Sequence, residues 1–178
     1  MKYFSRGWAN GELTDEEDEG VRRAYEARLV EITSRLPPSM TRLGRGVSLH
    51  DALIESVRWI PSLAELRLQL VGGTSDAGYH TVQLTYRGAM LGKSRVESLR
   101  NVACNREACV LYQEIDIADD GTLAHRLLFW PNDEVTIEFS ELEYLSVPRD
   151  DCRVALADAF VVEIGDEEDG KTPAKLED

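Results

Sequence analysis

Residues 63–71 alternate between two chemistries: Ala64, Leu66, Leu68 and Leu70 fall on one side of an extended chain, and Glu65, Arg67 and Gln69 on the other. A period of two means a strand with one face buried and one face wet. The stretch Gly72–Gly78 is a turn, and residues 79–87 then alternate again, with Val82, Leu84 and Tyr86 opposed to Thr81, Gln83, Thr85 and Arg87. Two such runs joined by a glycine-rich turn predict an antiparallel hairpin. Its apolar face must be covered by another layer.

More strands are expected on both sides of this hairpin. Leu53–Ile60 precedes it, while Cys109–Ile117 and Leu123–Trp130 flank Asp119-Asp120-Gly121, whose Asp-Gly pair is a hairpin signal. Val135–Phe139 follows, then Leu142–Val147 before Pro148, and Ala155–Ile164 is ambiguous between helix and strand. Two helices are predicted. Thr14 and Glu17 have capping-box spacing, and Val21, Tyr25, Leu29, Ile32 and Leu36 make an apolar stripe that Pro37-Pro38 ends. Ser94–Ala103, with Ser94 and Glu97 at the same spacing, is the second. Residues 40–48 read as a connection.

The expected class is α+β. It comprises a mostly antiparallel sheet of about six or seven strands, with a long N-terminal helix and a short central helix packed on it. Residues 1–164 form one domain, and 165–178 an acidic, mobile tail. At 178 residues with 43% hydrophobic side chains, the chain can bury a core without disulfides. Cys104, Cys109 and Cys152 read as reduced thiols, and a metal site joining them to His125 has little support. No metal or cofactor is expected. No run reaches the length of a membrane helix, and residues 1–8 lack a secretory apolar run, so the expected location is the cytoplasm without membrane contact.

The net charge of −13 is unevenly placed. Residues 12–19 hold six carboxylates and no base, and 163–178 hold seven carboxylates against two lysines. Binding to nucleic acid is disfavoured, and a basic protein partner is favoured. Part of the first run has a local explanation, because carboxylates in the first turn oppose the positive end of a helix dipole. The single basic stretch, Arg87–Arg106, reads as a solvated face.

The chain lacks a nucleophile elbow, a phosphate loop, a dinucleotide fingerprint and a zinc-protease helix. Two sets of residues remain. Asp15, Glu16, Asp18 and Glu19, with Trp8 and Trp59, are candidates for contact with a partner. His50, Asp51, Glu114, Asp116 and His125 are candidates for an acid/base or ligand-binding cluster. Their alternative is a hydrogen-bonded group that fixes strand pairing.

Ser5-Arg6-Gly7-Trp8, Leu49-His50-Asp51-Ala52, Thr85-Tyr86-Arg87-Gly88, Tyr112-Gln113-Glu114-Ile115-Asp116 and His125-Arg126-Leu127-Leu128-Phe129-Trp130-Pro131 stand together in one chain. In these strings it resembles uncharacterised bacterial cytosolic families, some encoded beside secreted toxins and regarded as immunity proteins. The resemblance spans residues 3 to 147. It implies an α+β sheet protein without established catalytic residues. The expectation is therefore a noncatalytic acidic protein-binding module, in concrete form an immunity-type inhibitor of a basic bacterial toxin domain. The alternatives are a small enzyme or ligand-binding protein using the His/carboxylate cluster, and a homodimer formed through a sheet edge or an exposed tryptophan.

Overall fold

The alternating hairpin forms in register. In the computed structural model, which describes residues 1–46, 48–154 and 159–163, β2 (Glu65–Thr74) pairs antiparallel with β3 (Gly78–Arg87), Leu66 opposite Tyr86 and Leu70 opposite Val82. Gly73 permits the closing turn. Its φ is +103°, and a Cβ there would lie 2.2 Å from the Gly78 carbonyl oxygen.

β1 (Leu53–Ile60) adds to β2, β7 (Glu141–Arg149) adds to β3, and β8 (Phe160–Val162) runs parallel to β1. The resulting order is β7-β3-β2-β1-β8. A separate three-stranded sheet has the order β4-β5-β6, from Val110–Ile117, Leu123–Phe129 and Glu134–Phe139. The described residues thus hold eight strands in two sheets, which corrects the expectation of one sheet of six or seven. The α+β class and the mostly antiparallel pairing stand.

The inward stripes of the two sheets meet. Leu66, Leu68, Leu70, Val82, Leu84 and Tyr86 are buried on one side, and Leu123, Leu127, Phe129, Val135, Ile137 and Phe139 on the other. Tyr86 and Phe139 touch edge to face at 5.0 Å between centroids. Each buried Leu, Ile or Phe contributes about 1.5–3 kcal/mol of transfer free energy. Helices close the sides. α3 (Pro38–Arg45) inserts Met40 and Leu43 and packs against β7, while α4 (Lys93–Cys104) inserts Leu99 and Val102 and packs on β1, β6 and β8.

The helices depart from expectation in four places. The first helix is a short one, α1 (Arg6–Ala9), capped by Ser5. α2 (Asp15–Ile32) starts with the expected Thr14–Glu17 capping box but stops four residues before Leu36, where the Arg35 and Leu36 N–H groups both turn back onto the Ile32 carbonyl. α3 occupies what read as a connection: Pro38 starts it, and Met40 and Leu43 supply an apolar edge three residues apart. α4 is one residue longer at each end than read, and its N-cap is Gly92 without a side-chain hydrogen bond, not Ser94. β7 continues through Pro148, which is tolerated on an edge strand. Of the ambiguous 155–164 segment, residues 160–162 are strand. The acidic tail 165–178 lies outside the described residues. No described helix is long and apolar enough to cross a membrane.

Candidate functional site

The hairpin register decides where the candidate polar residues go. Glu114 lies opposite Arg126, Ile115 opposite His125, and Asp116 opposite Ala124. Directly opposed residues share a face, and adjacent residues in a strand do not. Glu114 and Asp116 therefore project from the outer face of the β4-β5-β6 sheet, and His125 from its inner face.

The outer face is a charged clamp. Glu114 is fully buried, and its carboxylate accepts backbone N–H bonds from Lys2 (2.9 and 3.1 Å), Tyr3 (2.6 Å) and Phe4 (2.8 Å). Arg126 lies 3.7 Å away. Asp116 accepts from Arg28 Nε and Nη2 (3.0 and 2.8 Å) and from the Ile117 N–H (2.9 Å). Burial alone would raise the Asp116 pKa. The Arg28 and Ile117 hydrogen bonds, with the charges of Arg28 and Arg126, outweigh it and hold the carboxyl below its ordinary value. Arg6 completes the clamp by donating to the carbonyls of Phe129, Pro131 and Asp133. The phenol of Tyr25 caps the Ile115 N–H at 2.8 Å, and burial pushes its pKa up to about 12.

The inner face is a neutral relay. His125 Nδ1 is 2.7 Å from the Tyr86 hydroxyl, and Nε2 is 3.0 Å from Gln113 Oε1. Because Gln113 Oε1 accepts, we assign the proton to Nε2, so the Tyr86 hydroxyl donates to Nδ1. Burial pulls the His125 pKa down to about 3 and raises that of Tyr86 well above its usual value, so both remain uncharged near neutrality. The relay joins β3 of one sheet to β5 and β4 of the other.

His50 is exposed, in the loop after α3. Its Nδ1 hydrogen-bonds the Leu111 carbonyl at 2.5 Å, and its Nε2 lies 3.7 Å from Asp51. The polar cluster is therefore divided three ways: His50 and Asp51 at the surface, Glu114 and Asp116 under the N-terminal segment, His125 between the sheets. The last two groups are hydrogen-bonded within the fold, to the N-terminal segment and α2 in one case and to Tyr86 and Gln113 in the other. Among the described residues no three of His, Cys, Asp and Glu gather closely enough to hold a metal ion, and Cys104, Cys109 and Cys152 are free thiols.

The partner-binding candidates also divide. Asp15, Glu16 and Glu19 are exposed on α2, and Asp18 is paired with Arg22 at 2.9 Å. Trp59 is in the core, and Trp8 is 5% exposed beneath Arg22, whose guanidinium carbon sits 4.9 Å from the ring centroid. These two tryptophans are packing residues in this fold, and the exposed tryptophan is Trp130. Trp8 packs edge-on against Tyr112 at 4.4 Å, and Tyr112 is 5.3 Å from the His50 ring. Beside this group is an open cavity of about 450 Å³, lined by Arg22, Ser48, His50, Tyr112 and Gln113. Arg22 and Gln113 were not picked out from the sequence. The available signal for Arg22 was its four-residue spacing from Asp18, and for Gln113 there was none beyond its place beside Tyr112.

Residues 2–139 match a family model described as "Protein of unknown function (DUF4085)". The chain belongs to the DUF4085 family. No curated protein and no solved structure matches it. The DUF4085 match runs from the backbone that clamps Glu114 to the last residue of β6, so it contains the whole three-stranded sheet, the relay and the cavity. It stops before β7 and β8.

Proposed function

We propose that this DUF4085 chain is a noncatalytic protein-binding module that meets a basic partner through the acidic start of α2. In its most concrete form it is a cytoplasmic immunity-type inhibitor that covers the working surface of a bacterial toxin domain. The observation that carries the reading is the exposure of Asp15, Glu16 and Glu19 with no ion-pair partner among the described residues, beside the Asp18–Arg22 pair. Such a patch raises encounter rates with an oppositely charged surface and loses this effect in salt. A stable complex buries on the order of 1,600 Å² in total.

The enzyme alternative loses its residues to the register, since His125 and the two carboxylates face opposite sides of one sheet. The ligand-binding alternative retains the cavity beside Tyr112, and the interface reading places that cavity at the rim of the acidic surface.

The test separates partner contact from helix chemistry. Asp15 and Glu16 stand in the first turn, where each carboxylate stabilises the helix by about 0.3–1 kcal/mol. Glu19 and Glu26 lie beyond that turn. Replacing both with Gln should leave the urea midpoint unchanged and lower the association rate with a basic partner captured from the host several-fold at 50 mM salt. The difference should close at 300 mM. An association rate that ignores both the substitutions and the salt would rule out the acidic patch as the docking surface.

A further inference from the structure

The His125 relay does not end inside the protein. Gln113, its last member, also lines the open cavity of about 450 Å³ beside Tyr112. The relay fixes which end of this amide is used inward. His125 Nε2 donates to Gln113 Oε1 at 3.0 Å, and the Tyr86 hydroxyl holds Nδ1 at 2.7 Å. The Gln113 amino group is the end left over. It has no acceptor among the described residues and is not one of their buried unpartnered atoms, so it opens to the cavity. An amide without such a partner can turn either end outward; this one is held to present a donor.

The rest of the wall has the same polarity. Arg22 Nε is taken by Asp18 at 2.9 Å, and its Nη groups have no acceptor among the described residues. Ser48 Oγ accepts the His50 N–H at 3.2 Å and keeps its own proton to donate. Trp8 touches both Arg22 and Tyr112, and its indole N–H is the one buried side-chain polar group without a hydrogen-bond partner among the described residues. Against these donors, no described carboxylate lines the cavity. Tyr112 and His50 supply flat surface, with ring centroids 5.3 Å apart, and Leu43 and Leu111 add apolar surface. Charge then decides the kind of ligand. Asp18 already pairs with Arg22, Glu19 and Glu26 stand three and four residues from Arg22 on the same helix, and Asp51 lies 3.7 Å from His50. An anion would enter a surrounding field that is net negative, and a cation would meet a wall of donors. An uncharged molecule with an acceptor oxygen meets neither cost.

We propose that this cavity binds a flat, uncharged small molecule through a carbonyl oxygen, which accepts from the Gln113 amino group and Arg22 while the ring lies against Tyr112. The cavity has the size of an ordinary small-molecule site, about 300–1,000 Å³. His125 is a positioning residue here: from the core it sets the polarity of a group at the surface. The inference does not depend on the proposed function, because its ligand is a small molecule and its test needs no protein partner.

Titration of the full chain with nicotinamide, followed by NMR of the side-chain N–H groups, tests it. Nicotinamide is flat and uncharged and carries a carbonyl oxygen; at its size a dissociation constant of about 1 mM is expected. The Gln113 side-chain amide should shift saturably. Nicotinate and 3-(aminomethyl)pyridine keep the ring and carry a negative and a positive charge, and each should bind several-fold more weakly. Gln113→Glu still accepts from His125 but turns an oxygen to the cavity. It should weaken nicotinamide about five- to tenfold, the worth of one hydrogen bond. No saturable shift at the Gln113 amide of the unaltered chain overturns the proposal. So does nicotinate or the amine binding as tightly as nicotinamide, since charge would then select the ligand. Unchanged affinity in a folded Gln113→Glu chain puts the ligand elsewhere and overturns it as well. Should that variant fail to fold, the three ligands on the unaltered chain still decide.

Discussion

The two faces of the β4–β5 hairpin solve one problem in opposite ways. Both bury polar side chains against a second layer. On the outer face Glu114 and Asp116 keep their charge and are surrounded by donors: three consecutive backbone N–H groups for one, Arg28 and the Ile117 N–H for the other. On the inner face His125 keeps no charge and passes hydrogen bonds from Tyr86 to Gln113. The difference follows from what covers each face. The N-terminal segment and α2 bring backbone donors and guanidinium groups. The five-stranded sheet brings apolar side chains and one phenol, a setting in which an imidazolium has no counter-ion. A residue type therefore does not announce its role here: a histidine and two carboxylates two strands wide share a hairpin and never share a site.

The largest expected effect comes from breaking the charged face. Glu114→Ala removes the acceptor of four short contacts, leaves the amides of residues 2–4 without a partner and leaves Arg126 with Asp116 alone. It should cost about 3–5 kcal/mol in urea denaturation. Glu114→Gln, which keeps one oxygen, should cost clearly less. A loss below about 1 kcal/mol for the alanine variant would mean that the N-terminal segment is not held by this carboxylate.

Acid should break the neutral face first. His125 titrates at about 3 in the fold against 6.5 in an unfolded chain, so the unfolded state takes up the proton first as pH falls. Stability is then lost from about pH 6.5 downward, toward the folded value. Between pH 6.5 and 4.5 the loss should be about 2–3 kcal/mol. Asp116, whose folded pKa is lowered, supports the fold above the ordinary carboxylate range and withdraws that support only at lower pH. The slope between pH 6.5 and 4.5 should therefore disappear in His125→Leu and persist in Asp116→Asn. A slope that survives in His125→Leu would assign the acid sensitivity elsewhere.

The sequence made one of these layers readable and hid the other. Period-two alternation located β3 to within a residue and the middle of β2, which starts two residues later than read and runs on through Gly72–Thr74, and the Asp120-Gly121 turn located the β4–β5 hairpin, because these signals are local. Strand periodicity also assigned Glu114 and Asp116 to a common face. What it could not supply was the one-residue register offset that sends His125 to the other side, which depends on how many residues the turn absorbs. Nor could it separate two sheets from one, since that depends on which strand edges meet after the α4 crossover. Trp8 and Trp59 looked like surface anchors only because tryptophan serves cores and interfaces alike. The Glu114 clamp had no sequence signal at all, because its donors are backbone amides of residues 2–4.

That last point can be sharpened with the smallest expected effect. The Lys2 ammonium lies 3.7 Å from Asp116 but is 53% exposed, while its backbone N–H reaches both Glu114 oxygens. An exposed ion pair of this kind contributes about 0–1 kcal/mol. Lys2→Ala should therefore shift the urea midpoint barely at all, and it keeps the amide. Lys2→Pro removes the donor and should cost about 1–3 kcal/mol, the range for leaving a buried acceptor short of a partner. If Lys2→Ala proved the more damaging of the two, the outer face would be held together by side-chain charge, and its contrast with the uncharged inner face would rest on Lys2, Arg28 and Arg126 instead of on the backbone.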